Sequence, residues 1–371
     1  MLNKPLHIIS FDNPFPANYG GVIDVFYKIK ALNELGFDIY LHCYYDTNDT
    51  KAEELKQITK QLFFYKKNRN PLFMFSSTPF AVKSRNHKDI LKNILAIDAP
   101  ILYEGLQSTM VKNKLKNLSY KQYLRLHNLE ANYFYGAYKS EKNWVKKFLY
   151  YTDYIKYKKY QDCISEFDAV FTLSVFETNY VTSFSKNAVY IPVFHGNKTM
   201  QTISEYGNYA FYHGDLRLAD NKKSVAFLIQ IFKKITDYKL IIASNNGEQF
   251  VKSQIADSNT ISFVSIENQQ HLDALLMNAH INLMYSFQQS GTKLKLVNAL
   301  FKSRFCLINS NMVDDPKIIS LCEMAETEQE FVLKINQLKS KPFLELDQRN
   351  QVLDEVLNDL NNAKKMIDII I

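Results

Sequence analysis

Short apolar runs bounded by polar turns recur along the whole chain, and between them apolar positions return at helical spacing. Such runs are the pattern of buried strands alternating with helices. In the first half they fall at Leu6–Phe11, Phe37–Tyr44, Gln61–Tyr65, Ile101–Glu104, Gln122–Leu126, Ala169–Leu173 and Val189–Pro192. In the second half they fall at Tyr209–His213, Lys239–Ala243, Ile261–Val264, Ile281–Met284 and Phe305–Ile308. This alternation predicts an α/β protein of two doubly wound, Rossmann-like domains, each on a parallel sheet. The first domain is expected over 1–193. A polar stretch with two glycines, 194–208 (FHGNKTMQTISEYGN), reads as the linker, and 209–341 as the second domain. Residues 342–371 are helical in pattern and are expected to pack back on the first domain.

Tyr133–Tyr160 departs from the alternation, being crowded with aromatics and lysines. The preferred reading is a pair of amphipathic helices with Phe148, Leu149, Tyr150 and Ile155 toward the core. The other is a basic, aromatic face lying on anionic lipid, a peripheral membrane contact.

Composition narrows the class without naming a reaction. At 371 residues with 46% apolar content, two cores are affordable. No apolar run is long enough to span a membrane, and the start lacks a signal-peptide pattern. Cys43, Cys163, Cys306 and Cys322 are scattered. They fit a reduced, cytoplasmic protein, either free or peripheral at the inner face of the cytoplasmic membrane. The net charge of +7 suits anionic substrates or an anionic surface. Nucleic acid is not an expected partner.

Two loops carry candidate chemistry. After the first strand, Asn13, Pro14, Pro16 and Asn18 make a long, stiff loop that ends at Tyr19, Gly20 and Gly21 and opens a helix over Val22–Leu35. Two glycines let a ligand approach the backbone at a helix N-terminus, where anions bind; a tight turn needing glycine for geometry is the plainer alternative. Late in the chain, Ile281–Asn309 reads as strand, polar loop, helix, strand. Ser290, Gly291 and Thr292 open that helix, with Lys293 and Lys295 adding positive charge beside it. The phrase RLHNLE at mid-domain sets Arg125, His127, Asn128 and Glu130 at a strand's carboxyl end, where open parallel sheets bind ligands. A structural histidine is the alternative for His127, and an Arg125–Glu130 pair serving as scaffold the alternative for its neighbours.

Taken in order, the Gly20–Gly21 helix opening, RLHNLE, YHGDL and SGTKLKLVNALF resemble bacterial glycosyltransferases of the GT-B fold, nearest the retaining, family-4-type group. The resemblance runs nearly from end to end. It implies two domains facing a cleft, a nucleotide diphosphate sugar held mainly by the second, and a glycan or lipid-linked acceptor held mainly by the first. Gly20, Gly21, His213, Gly214, Ser290, Gly291, Thr292, Lys293, Lys295 and Asn298 then face the donor, with its diphosphate between the two glycine-containing helix openings. Tyr19, Glu104, Arg125, Asn128 and Glu130 lie on the acceptor side, and His127 lies beside the transferred sugar. No cofactor and no metal are implied.

The chain departs from the family pattern at four positions. Asp215 stands where arginine is expected and Asp220 where lysine is expected, while Ser290 and Asn298 take the places of two glutamates eight residues apart, the second of which binds the ribose. Arg217, Lys222, Lys223 or Lys293 are the cations available to compensate, and Asp220 reads as the N-cap of the following helix. Ser174-Val-Phe-Glu177 reads as a capping box rather than a nucleophile site. Asp-x-Asp and the phosphate-loop, zinc-protease and serine-hydrolase signatures are missing. The expected activity is hexosyl transfer, with retention and without metal. The alternatives are a non-catalytic carbohydrate-binding relative on the same fold and a sugar-nucleotide 2-epimerase.

Overall fold

The computed structural model describes residues 4–46, 52–115, 119–255, 258–288 and 293–371. The chain divides into two compact units. One comprises Met1–Gly196 with Leu357–Ile371, the other Asn197–Val356.

The first unit is a seven-stranded sheet. Its strands are β1 (Lys4–Ser10), β2 (Phe37–Tyr45), β3 (Gln61–Lys66), β4 (Ile101–Glu104), β5 (Gln122–Leu126), β6 (Ala169–Thr172) and β7 (Ala188–Tyr190). Their order is β3-β2-β1-β4-β5-β6-β7, and every pairing is parallel. The second unit is a six-stranded parallel sheet of β8 (Tyr209–His213), β9 (Leu240–Ser244), β10 (Ile261–Ser265), β11 (Ala279–Met284), β12 (Phe305–Ile308) and β13 (Glu323–Met324). Its order is β10-β9-β8-β11-β12-β13. All twelve strands expected from the apolar runs are present. Only β13 was missed, being too short to leave a run.

Strand direction of travel reverses between β1 and β4 in one sheet and between β8 and β11 in the other. Connections leave these neighbours toward opposite faces, so a crevice opens at their carboxyl ends, and ligands of doubly wound sheets bind there. The strand ends concerned are Ser10 and Glu104 in the first unit, His213 and Met284 in the second.

Helix α1 (Gly20–Glu34) shows why the first crevice is rigid. Val25, Phe26, Ile29 and Leu32 are buried on one side of the sheet with Leu6, Ile8 and Leu102. Burying each such side chain contributes roughly 1.5–3 kcal/mol. Ile9, Tyr103, Leu124 and Leu126 pack on the opposite face. The second unit has its own core around Leu228, Ile242, Leu283 and Phe331.

Three details differ from expectation. Phe194 is buried in the first core and its N–H donates to Asp24 Oδ1 at 2.9 Å, so 194–196 completes the first unit instead of starting a linker. The helix Leu346–Leu357 lies almost wholly in the second unit, where Phe343 and Leu346 join the core. Only the helix Asp359–Ile370 returns to the first unit, burying Ala363, Met366 and Ile370. The helices Glu130–Ser140 and Trp144–Tyr160 form the expected pair, but Phe148 and Ile155 face outward. Tyr157 is the buried residue of the second helix, stacked on Phe134. The aromatic residues outnumber the places the core offers, and the side bearing Tyr157 takes them.

Candidate functional site

In the first unit the crevice rests on five charged groups. Asp24 and Lys28 lie one turn apart on α1, Glu104 ends β4, Arg125 lies within β5 and His127 follows it. Lys28 Nζ donates to Asp24 Oδ2 at 3.0 Å and to Glu104 Oε2 at 2.8 Å. Arg125 grips Asp24 through two nitrogens, at 2.8 and 3.1 Å, and donates to the carbonyls of Ile191 and Pro192 at 2.6 and 2.9 Å. His127 Nε2 donates to Glu104 Oε2 at 2.9 Å, and its ring meets Phe11 edge-on. All five side chains are buried. Burial alone would raise the Asp24 carboxyl, but Arg125, Lys28 and His127 overcome it and hold the group well below the usual carboxylate range. Glu104 Oε1 is also buried and takes no hydrogen bond among the described residues.

This arrangement corrects two of the acceptor-side expectations. Arg125 is sealed beneath the crevice, paired with Asp24 and not with Glu130, and serves as scaffold. Glu130 is buried too and accepts from Gln107 Nε2 at 2.7 Å. Burial pushes its carboxyl up to about 7, against the opposing effects of Gln107 and Arg85. Glu104 lies in the floor as the shared acceptor of Lys28 and His127. Asn128 is half-buried in the turn after β5, and Tyr19 is exposed, its hydroxyl donating to Asp12 Oδ2 at 3.1 Å.

Gly20 is the first helical residue and Tyr19 the N-cap. The opening turn has neither a side-chain cap from Tyr19 nor an acidic residue. Gly21 lies against the Phe11 ring: a Cβ there would be 2.8 Å from Phe11 Cζ, so the ring would have to shift. Gly105, just after β4, has φ +69°, a conformation that glycine adopts without strain.

Asp24, Glu104 and His127 hold potential metal-ligand atoms within 4.8 Å of one another, the one such group among the described residues. The Lys28 ammonium bridges both carboxylates of that set and the Arg125 guanidinium covers Asp24. The negative charge a cation would need is therefore already matched.

The second unit presents the opposite balance at β8 and β11. Lys293 is the N-cap residue of the helix Leu294–Lys302, and Lys295 sits in its first turn. Ser290, Gly291 and Thr292 lie outside the described residues. Lys295 is half-buried, with Nζ 4.9 Å from the centre of the Tyr212 ring. Burial and the Lys293 charge push its ammonium down to about 8, while Asp220 opposes. His213 ends β8 with its ring stacked on Phe211 and its Nε2 buried without a hydrogen-bond partner among the described residues. Burial and then Lys295 push its pKa down to about 3, so the imidazole is neutral. Gly214 follows directly, with Asn221 and the Tyr212 hydroxyl beside it.

Asp215 is engaged by Arg217 through two nitrogens and by Asn246, which together hold it down to about 2. Asp220 is not an N-cap, since Leu218 occupies that place without a side-chain bond. Its carboxylate accepts from Ser286 Oγ and the Phe287 N–H, both at 3.1 Å, and so ties the helix start to the turn after β11. Asn298 accepts from Asn197 Nδ2 at 3.1 Å. Ser174 is an N-cap, as its spacing predicts.

The sequence reading missed Asp24 and Lys28. The signal was available: α1 is apolar nearly all round, which leaves an i,i+4 charged pair no polar face to occupy.

No protein-family profile matches the chain. A curated relative, an uncharacterized 44.6 kDa protein in the cps region of Klebsiella pneumoniae, is 26% identical over 321 residues, 82% of each chain. Among solved structures the chain is similar to sucrose-phosphate synthase from Thermosynechococcus elongatus, at TM-score 0.72 and 13% identity over 99% of this chain and 98% of that one. It is similar to the lipopolysaccharide outer core galactosyltransferase WaaB, at TM-score 0.69 and 13% identity over 99% of both chains. HepE from Anabaena, in complex with UDP, follows at TM-score 0.65 and 11% identity over 98% of both. These likenesses show that the fold is that of the GT-B glycosyltransferases.

Proposed function

We propose that this chain, built on the GT-B glycosyltransferase fold, is itself a glycosyltransferase. It moves a hexose from a nucleotide diphosphate sugar to a glycan or lipid-linked saccharide. The observation that carries this reading is the cationic group at the β8/β11 crevice. Lys295 and Lys293 lie at a helix start, and among the described residues no carboxylate is within ion-pair distance of Lys295. A charge held there at the cost of desolvation suits a diphosphate, which restores its ordinary pKa. The cps-region relative and the UDP-bound neighbour support the same choice of chemistry.

In the proposed reaction an acceptor hydroxyl oxygen bonds to the anomeric carbon on the face from which the diphosphate departs. The bond from that carbon to the phosphate oxygen breaks, and the leaving group takes the electron pair and then the hydroxyl proton. No protein base is required. The protein's part is to stabilise the charge of the leaving group, through Lys293, Lys295 and the N–H groups of the helix start. His213 is neutral, adds no charge and offers its buried Nε2. The acceptor is assigned to the first unit, above the floor formed by Glu104 and His127. Transfer is proposed to need no metal, since the carboxylates that would hold one are matched by Lys28 and Arg125.

A non-catalytic carbohydrate-binding relative is the second reading, favoured by Asp215, which occupies a phosphate-facing position of the pattern and has Arg217 bound to it. A 2-epimerase is disfavoured, because the histidine and carboxylates of the first unit are locked in ion pairs. A thermal-shift series with UDP-, GDP- and TDP-sugars tests the proposal. One donor at a hundred times its dissociation constant should add about 2.7 kcal/mol of stability. Binding without turnover of any acceptor would favour the second reading, and stabilisation by none would defeat both.

A further inference from the structure

The helix Trp144–Tyr160 turns an apolar stripe to solvent. Trp144, Phe148, Tyr151 and Ile155 are spaced four, three and four residues apart, so they share one face, and all are exposed, Trp144 by 79% and Phe148 by 62%. A second element in contact with the helix also leaves apolar groups in water. The short turn Pro71–Phe75 exposes Leu72 by 69% and Phe75 by 89%, and Lys156 Nζ donates to the Met74 carbonyl, which joins the two. Folding gains nothing from large apolar groups left in water, and a patch of this kind marks a contact surface. Charge selects the contact. The helix carries five lysines and one carboxylate, Asp153. Lys147 and Lys158 flank one side of the stripe and Lys159 the other, while Asp153 lies on the far side of the helix, in the half-buried layer.

We propose that this face lies on an anionic lipid bilayer. Phe148, Ile155, Leu72 and Phe75 enter the headgroup–acyl boundary, Trp144 sits at the interface, and the lysines extend to the headgroup phosphates. A second copy of the chain is the poorer occupant. A two-fold contact sets the same patch against itself, which would bring lysines against lysines. A bilayer rich in anionic headgroups matches them instead. Among the described residues no helix is long and apolar enough to cross a membrane, so the contact is peripheral. The proposal does not depend on the glycosyltransferase reading.

Trp144 is the only tryptophan of the chain, so its fluorescence reports on this face directly. The full-length protein is titrated with phosphatidylcholine vesicles and with vesicles containing phosphatidylglycerol. The expected result is a blue shift with the anionic vesicles alone, weakened by salt. Phe148→Ser with Ile155→Ser should lower the partition coefficient at least about tenfold. Lys158→Gln with Lys159→Gln should lower it by roughly fivefold per lysine. Far-ultraviolet circular dichroism and melting temperature check that each variant is folded, and the lysine pair keeps the test open if the apolar pair is not. No shift with anionic vesicles, or an equal shift with neutral ones, overturns the proposal. A shift that follows protein concentration without lipid, with dimers in sedimentation, assigns the face to a second copy and overturns it too.

Discussion

The charged groups of the two units are handled in opposite ways. Beneath the β1/β4 crevice every cation has an anion: Lys28 has Asp24 and Glu104, and Arg125 has Asp24. Beside the β8/β11 crevice Lys295 has no carboxylate within ion-pair distance among the described residues, and burial with the Lys293 charge lowers its pKa to about 8. A matched, sealed network holds a shape, and removing one member leaves a stranded charge. A desolvated cation without a paired carboxylate is relieved by an incoming anion. Burial alone does not separate a functional charge from a structural one; the pairing does.

The comparison breaks most sharply at Asp24. Asp24→Asn leaves Arg125 and Lys28 buried with one carboxylate fewer, and stability should fall by about 3–5 kcal/mol in chemical denaturation. A loss below 1 kcal/mol would mean that water already enters the network.

Lys295→Met should do the reverse. It removes a half-buried charge that desolvation already disfavours, so the ligand-free fold should lose little. Nucleotide affinity should drop by about 1.5–3 kcal/mol, measured by calorimetry. The pH dependence follows from the same group. Its folded pKa, about 8, lies below the usual lysine value of 10.5. The charged form that binds a diphosphate is lost as pH rises through 8, so wild-type affinity should weaken from pH 7 to 9, and the methionine variant should show a flat profile. An unchanged affinity in the variant would remove Lys295 from the site.

Glu130 sharpens the contrast from the matched side, being the acid there with the weakest pairing. Its folded pKa is raised from 4.5 to about 7. It therefore costs stability as pH climbs through that interval, and the full cost is present above 7. Glu130→Gln keeps the bond to Gln107 and should stabilise the protein by about 1–3 kcal/mol at pH 8 with little effect at pH 4. Melting temperatures across that range decide it.

The smallest effect is expected at Asn298. Its carbonyl is already engaged by Asn197, so Asn298→Ala should cost nucleotide binding only about 0.5–1.5 kcal/mol. A null effect on binding with a loss of stability would place the residue in the scaffold.

Strand positions were legible because buried parallel strands are continuous apolar runs, which need no partner to be recognised. The glycine loop and the lysine-bearing helix start were legible for a similar reason, since both are local in sequence. The charge network was not, because Asp24, Glu104 and Arg125 come from three separate elements and meet only when α1 packs against β4 and β5. Arg125 illustrates the difficulty. In RLHNLE it looks like a partner for Glu130, five residues on, while its actual partner lies 101 residues earlier. The outward face of Trp144–Tyr160 was misjudged because periodicity gives the direction of a stripe and not what it faces.

The helix Asp359–Ile370 carries a consequence for how the molecule is made. It fills the first core, and Tyr123 donates to the Ile369 and Ile370 carbonyls. During synthesis the chain emerges from its amino end, yet the first unit lacks this piece until after the second has been translated in full. Asn197–Val356 is continuous and has all its parts sooner. The unit begun first is thus completed only after the second, its apolar face waiting on the helix Asp359–Ile370. That interval, rather than the mature protein, is when a chaperone would be needed most.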